Sequence, residues 1–380
     1  MSSTPLSILD LAPVPAGGTV TDALRNTVDL ARRAEQSGYH RYWLAEHHLA
    51  AGVASSAPAV LIGQVAAATS VIRVGSGAVQ VGHRTALSVV EEFGTLAALH
   101  PGRIDLGLGR SGQRRVEVAR EVEAARDIAA PTPPPVEAQV VDGLLIPPPF
   151  SYASVLASPR FALSSALLHQ PGAQPPPFAE QVADVLALLR GDYTDADGLD
   201  AHAVPGEGTD LQVWLLGSSG GESAKLAGAL GLPFAANYHV SPSSVLDAVA
   251  AYRAAFQPSA ALAEPYVVVS ADVVVAETND AARRLAAPYG PWVRSIRSGD
   301  GAIPFPSPEQ AAALRWTDDD RDLVADRVDT QFVGSPGTVV DRLRTLQDVT
   351  TADELLVTTI THGHVDRVTS YELLAKEWNH

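Results

Sequence analysis

The sequence predicts a single (β/α)8 barrel with long loop insertions at the mouth formed by the carboxyl ends of its strands. The chain has 380 residues, 46% of them hydrophobic, which is enough to bury a substantial core. Short apolar runs alternate with stretches of helical periodicity, and the runs are apolar throughout, as in a sheet covered on both faces. Eight such units close into a barrel. A doubly wound open sheet shows the same alternation and stays an alternative.

Eight β-rich runs mark the strands of the predicted barrel. They span residues 6–11, 41–45, 71–79, 103–108, 211–216, 233–237, 266–276 and 354–359. Apolar residues at helical spacing follow them at residues 21–37, 58–69, 85–99, 178–190, 221–229, 242–256, 278–286, 336–346 and 366–378. Gly38 is placed to end the first helix, and Ser241 followed by Pro242 is placed to begin the sixth.

Two proline-rich stretches, near residues 111–178 and 288–330, interrupt this rhythm. Because proline lacks an N–H, we expect loop with short helices in the first and irregular chain over residues 288–320. A linker between two domains would also explain the first stretch. The alternation resumes afterwards in the same style, which favours excursions over the mouth of one domain spanning residues 1–380. Aromatic residues of the second stretch serve either as packing anchors or as a mobile lid, namely Trp292, Phe305 and Trp316.

Composition and charge exclude several classes of function. The chain contains no cysteine, so disulfides, thiolate metal sites and a cysteine nucleophile are excluded. A net charge of −16 argues against binding to nucleic acid or to anionic membranes. The first residues lack the basic and apolar regions of a signal peptide, and no apolar run approaches the roughly 20 residues that span a bilayer. We therefore expect a cytoplasmic protein.

A glycine- and serine-rich run, residues 217–223, joins the fifth strand directly to a helix. Backbone N–H groups at a helix start bind phosphate, and Ser219 and Ser223 could add hydroxyl donors. Arg110, at the end of the fourth strand, could add a charged guanidinium. The alternative is a serine cap in a tight turn. Residues 107–112 match the letters G-x-G-x-x-G, but no clean helix follows, so a tight turn is the better interpretation there.

Glu46, His47 and His48 follow the second strand. Adjacent residues of an extended chain point to opposite sides, so one imidazole should face the mouth and the other the surrounding shell. Glu46 would orient an imidazole, pair with Arg110, or lie solvated on the rim.

Two further polar sites lie at strand ends. Asp10 is expected to be a cap or turn residue. His362 and His364 have the spacing of some zinc ligands, but the first strand lacks the histidines that barrel hydrolases carry there. We predict no metal, with His362 on the rim or in a substrate pocket.

Five segments, in chain order, together resemble the bacterial luciferase-like monooxygenases. They are YWLAEHH at 42–48, VGSGAV at 74–79, GRIDLGLGR at 102–110, LGSSG at 216–220 with LGLPFA at 230–235, and FVGSP at 332–336. The resemblance implies a barrel that binds FMN, already reduced by a separate flavin reductase. The FMN would react with O2 through a C4a-peroxyflavin to oxygenate a small organic substrate, with polyketide-type secondary metabolites as candidates. It also implies a homodimer.

The resemblance also implies roles for single residues. His47 occupies the position of the catalytic histidine, with Glu46, His48 and His362 as substrate-contacting or supporting residues. Gly77 and Ala78 resemble a strand end that, in relatives, lies against the flavin ring through a cis peptide. Four residues occupy phosphate-binding positions: Arg110, Ser219, Gly220 and Ser223.

One departure limits what the resemblance implies. Gly109 replaces a cysteine of true luciferases, so light emission is not expected. A deazaflavin (F420) oxidoreductase of the same superfamily and a flavin-binding protein without turnover stay open.

Overall fold

The computed structural model describes residues 4–110, 136–152, 155 and 158–379. Eight parallel strands form a closed barrel in this part of the chain: β1 (Leu6–Asp10), β2 (Arg41–Leu44), β3 (Arg73–Ser76), β4 (Ile104–Gly109), β5 (Gln212–Gly217), β6 (Phe234–Asn237), β7 (Val267–Val275) and β8 (Glu354–Thr358). Pairing of β4 with β5, for example Gly107 with Trp214, joins the two halves, and β8 pairs with β1. The barrel prediction is confirmed, and the open sheet is wrong.

Helices surround the barrel close to where the apolar spacing predicts them: Val20–Gln36, Pro58–Ala68, Ala86–Leu99, Phe178–Arg190, Glu222–Ala229, Val245–Ala255, Asn279–Ala286, Pro336–Thr350 and His364–Trp378. Threonine side chains cap several of them; Thr19 and Thr85, for instance, each accept a hydrogen bond from the N–H three residues on. The predicted helix 242–256 begins with a separate 3-10 turn, Pro242–Ser244. No described helix is long and apolar enough to cross a membrane.

The alternation along each strand separates two layers of packing. Leu9, Trp43 and Trp214 lie in the barrel interior, whereas Ile8 and Tyr42 belong to the larger core between the strands and the helices. Since successive residues of a strand point to opposite faces, the inward set can be followed to the strand ends and identifies which polar residues line the mouth.

An ion-pair network lies at the amino end of the barrel. Arg41 is 2.8 Å from Asp105 and 3.1 Å from Glu354, and Arg73 is 2.6 Å from Asp105. The hydroxyl of Tyr266 donates to Glu354 at 2.9 Å. The charged side chains at this end of the barrel therefore pair with one another and do not depend on water for compensation.

The described part of the first insertion contains more regular structure than expected. Residues 111–135, where the first proline cluster lies, are outside the described residues. A short helix, Pro159–Leu168, agrees with the prediction, but a β-hairpin, Gln139–Val141 with Leu144–Ile146, was not expected. Both residues of its turn, Asp142 and Gly143, have positive φ. An Asp-Gly pair is the sequence signal for such two-residue hairpin turns.

The expectation of irregular chain over residues 288–320 is wrong. This stretch contains the helices Tyr289–Arg297 and Pro308–Ala312 and the start of Asp318–Asp329. Pro291 and Pro308 lie in first turns, where the missing N–H has no intrahelical acceptor to lose, so these prolines begin helices and do not break them. These three helices form the second insertion, which packs over the barrel.

Candidate active site

The three residues after β2 divide between two sides of the strand. Trp43 and Ala45 face the barrel interior, so His47 continues that series into the mouth. Its backbone N–H donates to the carbonyl oxygen of Ser55 at 2.8 Å, which fixes the chain at this point. Glu46 and His48 make their contacts on the other side, as the alternation predicts.

Glu46 is the buried centre of a hydrogen-bonded cluster. One of its oxygens, Oε1, lies 2.8 Å from His48 Nε2, 3.0 Å from His83 Nε2 and 3.4 Å from the guanidinium of Arg84. The other oxygen accepts from the N–H of Gln80 at 2.9 Å. Burial alone would raise the pKa of Glu46, but the hydrogen bonds and the charge of Arg84 outweigh it and lower the pKa to about 2. Glu46 therefore orients His48, and its predicted pairing with Arg110 and its predicted solvated position are both wrong.

The same cluster has the composition of a metal site, because ligand atoms of Glu46, His48 and His83 lie within 4.8 Å of one another. Arg84 approaches the same carboxylate oxygen to which both imidazoles are hydrogen-bonded. A cation there would be repelled by the guanidinium and would have to displace two hydrogen bonds. We interpret the cluster as a support beneath His47.

Between β3 and the short strand Val79–Gln80, the peptide bond joining Gly77 and Ala78 is cis. The predicted continuous strand over residues 71–79 is thus divided at this point. A Cβ atom built on Gly77 would lie 2.8 Å from Cδ1 of Leu9 and 3.3 Å from Trp43, so a larger residue here would require the Leu9 side chain to shift. The result is a stretch of backbone at the wall of the mouth whose side chains are no larger than the methyl group of Ala78.

Arg110 and the glycine–serine turn lie on the same rim. The guanidinium of Arg110 is 2.9 Å from the carboxylate of Glu222, the first residue of the helix that follows the turn. Because β4 and β5 are paired neighbours, this contact brings together the two segments that the sequence predicts to share a phosphate. The Glu222 side chain is 39% exposed, so it can turn away into solvent.

The turn itself is shaped by its glycines. Gly221, the residue before the helix, occupies the N-cap position without a side chain, so it provides no capping hydroxyl or carboxylate for the first N–H groups of the helix. A Cβ atom on Gly220 would lie 2.9 Å from the carbonyl oxygen of Asp247, so this glycine is needed for packing against the next helix. Ser223 is buried and lies against Gly217. An arginine, an uncapped helix start and a turn with small side chains fit a phosphate group.

The second insertion is fastened to the inner wall of the mouth. The hydroxyl of Tyr289 donates to Asp272 on β7, and Arg327 contacts the same carboxylate at 3.4 Å. Burial raises the pKa of Asp272, although Arg327 opposes this. Trp292 and Phe305 are buried in the same apolar cluster. Of the two interpretations of these aromatic residues, the packing supports anchors of a fixed wall.

Comparison with known proteins agrees with this architecture. A sequence model of the family described as luciferase-like monooxygenase matches residues 4–130 and 170–353. The chain belongs to the luciferase-like monooxygenase family. It is 38% identical over 378 residues to the uncharacterized protein YvbT of Bacillus subtilis, covering 99% of this chain and 97% of that one. A protein of Escherichia coli K12, named luciferase-like monooxygenase, is 35% identical over 370 residues, covering 97% and 95%.

Solved structures of the family share the fold. The crystal structure of apo-MsnO8 superposes with a TM-score of 0.77 at 31% identity, covering 99% of this chain and 98% of that one. Two more distant structures show the fold alone. They are the oxygenating constituent of 3,6-diketocamphane monooxygenase from Pseudomonas putida in complex with FMN, with a TM-score of 0.63 at 17% identity, and an F420-dependent secondary alcohol dehydrogenase, with 0.58 at 15%. They cover 99% and 98% of this chain and 98% of each of those chains.

Three further residues that the sequence singles out lie elsewhere on the rim. His362 bonds to the carbonyl oxygen of Ala16 at 3.0 Å, and His364 is 2.9 Å from Asp29. Among the described residues, neither joins a cluster of potential metal ligands. Asp10 is buried, and its partners are the N–H of Ala12, the hydroxyl of Tyr42 and the guanidinium of Arg367. Asp10 thus has the structural role expected of it.

Sequence reasoning missed His239 and Ser270. His239 follows β6, and its Nδ1 is 2.6 Å from the hydroxyl of Ser270 on β7. Neither residue belongs to a motif, and Ser270 lies within a long apolar run. The available signal was position alone, because polar residues just beyond the carboxyl ends of the eight barrel strands line the active face.

Proposed function

We propose that this protein is a monooxygenase that uses reduced FMN and O2 to oxygenate a small organic substrate. The observation that carries the proposal is the contact between Arg110 and the start of the helix Glu222–Ala229 at the ends of two paired strands. A guanidinium and uncapped helix N–H groups that converge on one place suit a dianionic phosphate, the anchor that FMN carries and riboflavin lacks.

The residues of this chain would divide the work as follows. Arg110, Ser219 and Ser223 hold the phosphate, while Gly220 allows the turn to pack closely. Gly77 and Ala78 offer a flat backbone surface to the flavin ring. Reduced FMN supplies the two electrons with which one atom of O2 enters the substrate and the other leaves as water.

His47 is proposed as the residue that gives or takes a proton beside the flavin ring. It lies in the mouth with Glu46 and His48 supporting the strand end from behind. The wall formed by Tyr289, Trp292 and Phe305 keeps water from the reacting atoms.

The substrate is proposed to be largely apolar. Inward residues near the mouth include Leu11, Ala45, Phe305 and Ile360, all in one buried apolar cluster. Such a wall suits small organic molecules of the polyketide type and gives no support for a highly charged substrate. His362, fixed to the loop after β1, is placed to contact a substrate at the outer rim.

Two proposals concern the setting of the reaction. The reduced FMN would come from a separate flavin reductase in the cytoplasm. A chain without cysteine is compatible with that reducing compartment, because it needs no disulfides. The protein would be a homodimer, which is supported by exposed apolar residues on the helices after β2 and β3, among them Val60, Leu87 and Leu99. Light scattering at several concentrations tests the dimer.

Anaerobic titration with reduced FMN and, separately, with reduced F420 tests the cofactor. Reaction of the FMN complex with isotopically labelled O2 and a panel of ketones and polyketides then tests the activity. We expect binding of reduced FMN and one labelled oxygen atom in a product. Tight binding of F420 alone, with hydride transfer that needs no O2, would contradict the proposal, and so would a retained flavin without turnover.

His47→Asn should lower product formation roughly 100-fold while FMN affinity stays within a few-fold. His202→Asn, which changes an exposed imidazole paired with Glu207, is the matched control. Full activity in His47→Asn would remove this residue from the chemistry.

A further inference from the structure

A second imidazole lines the mouth on the side opposite His47. His47 follows β2 and His239 follows β6, and in the closed barrel three strands separate these two on either side. The two residues are still close enough for the charge of one to affect the other, because His47 contributes to lowering the pKa of His239. A ligand in the mouth would therefore lie between two imidazoles.

The hydrogen bond from Ser270 fixes the ring of His239. Its Nδ1 lies 2.6 Å from the serine hydroxyl, which projects inward from β7. Among the described residues, this is the one hydrogen bond of His239, so Nε2 is engaged by no neighbour there. One nitrogen is held and the other faces the space that a ligand would fill.

The surroundings of His239 keep it neutral. Burial contributes most to lowering its pKa, to about 3, and the electrostatic influence of Arg327 and His47 adds to this. Asp272, on the neighbouring strand β7, is occupied by Tyr289 and Arg327, and no hydrogen bond joins it to His239. A neutral imidazole carries a single proton, so its position decides what the ring can do.

The hydrogen bond to Ser270 determines which ring nitrogen of His239 carries the proton. Among the described residues the Ser270 hydroxyl has no hydrogen-bond partner other than His239. Its hydrogen finds an acceptor when it points to Nδ1, and the imidazole proton then sits on Nε2. The free side of the ring is thereby a donor, not an acceptor.

We propose that Nε2–H of His239 donates a hydrogen bond to a carbonyl oxygen of the flavin ring. This inference rests on the proposed function, since it requires flavin in the mouth. His239 neighbours β5, whose end carries the phosphate site, and faces His47, beside which the ring is proposed to lie. The carbonyl oxygens of a flavin are acceptors that an apolar wall would otherwise leave unsatisfied.

A pair of substitutions separates the two nitrogens of His239. His239→Asn keeps an acceptor for Ser270 near the place of Nδ1 but has no atom at Nε2, whereas His239→Gln reaches the place of Nε2 with an amide donor. Titration with oxidised FMN should show about three- to ten-fold weaker binding to His239→Asn and near-normal binding to His239→Gln. Riboflavin should weaken by the same factor, because the phosphate site is unchanged.

Nitrogen NMR of the labelled protein tests the proton position without any flavin. We expect His239 to be the neutral Nε2–H tautomer from pH 5 to 9, and Ser270→Ala to raise the share of the Nδ1–H form. FMN should then shift the Nε2–H signal. Unchanged FMN affinity in His239→Asn, or an Nδ1–H tautomer in the wild type, would overturn this inference alone. A wild-type protein that binds no flavin would overturn the proposed function as well.

Discussion

The ion-pair network at the amino end of the barrel differs in exposure from the Arg110–Glu222 pair at the carboxyl end. At the amino end, Arg41, Asp105 and Glu354 lie inside the barrel and pair with one another at 2.8 to 3.1 Å. At the carboxyl end, Arg110 is held by Glu222, a carboxylate that is 39% exposed. The first network is complete within the protein, whereas the second can exchange its partner. This difference favours the carboxyl end as the place of ligand binding, as in other barrels of this kind.

The largest expected effect is a loss of stability caused by a substitution in the ion-pair network at the amino end. Asp105→Asn leaves Arg41 and Arg73 without their shared carboxylate and should lower the free energy of unfolding by about 3–5 kcal/mol. Chemical denaturation measures this. Asp280→Asn, which changes an exposed pair with Arg283, is the control and should have little effect. Equal stability of the two variants would show that the network does not hold the barrel.

The support behind His47 should give the next largest effect, and it depends on pH. The folded protein lowers the pKa of Glu46 from 4.5 to about 2, so ionised Glu46 stabilises the fold fully above pH 4.5. That stability is lost as the pH falls from 4.5 towards 2. Glu46→Gln should therefore be less stable than wild type by about 2–3 kcal/mol at pH 7, with the gap closing in acid. A gap that is constant with pH would contradict this.

A substitution in the proposed phosphate site should change the affinity for FMN but not the stability of the protein. Arg110→Ala should weaken FMN roughly 30- to 100-fold and leave riboflavin unchanged, because only FMN carries the charge that the guanidinium meets. Isothermal titration with both flavins measures the difference. Arg190→Ala, at an exposed arginine paired with Asp192, is the control. Equal losses for both flavins would indicate a disturbed mouth and no phosphate contact.

The smallest expected effect is a change in FMN affinity caused by a substitution of Glu222, the partner of Arg110. Glu222→Gln removes a negative charge that competes with the phosphate for Arg110, so FMN should bind about two- to five-fold more tightly at low salt. The gain should fade as the salt concentration rises. Weaker binding would mean that Glu222 positions Arg110 and does not compete with the ligand.

Most of the barrel could be predicted because its strands are buried and mostly apolar runs, such as Val267–Val275, that follow one another in chain order. The helices of residues 288–320 could not be predicted because Pro291 and Pro308 lie in their first turns, and a missing N–H is compatible with a helix start as well as with a break. The Asp142–Gly143 turn carried a hairpin signal that the proline-rich surroundings obscured.

The site could be predicted only where one segment carries its own signal. The run after β5 and the residues after β2 are recognisable from the sequence because several polar residues or glycines occur together. His239 is a single residue, and its significance depends on Ser270, which lies 31 positions away. Such a contact exists only once the ends of β6 and β7 are side by side.

A crystal structure of the protein with FMN would test the central claim most directly. The account predicts the phosphate within hydrogen-bond distance of the Arg110 guanidinium and of the N–H groups at the start of the helix Glu222–Ala229, with the Glu222 carboxylate turned into solvent. Density for the phosphate at another place, with the Arg110–Glu222 pair intact, would contradict it.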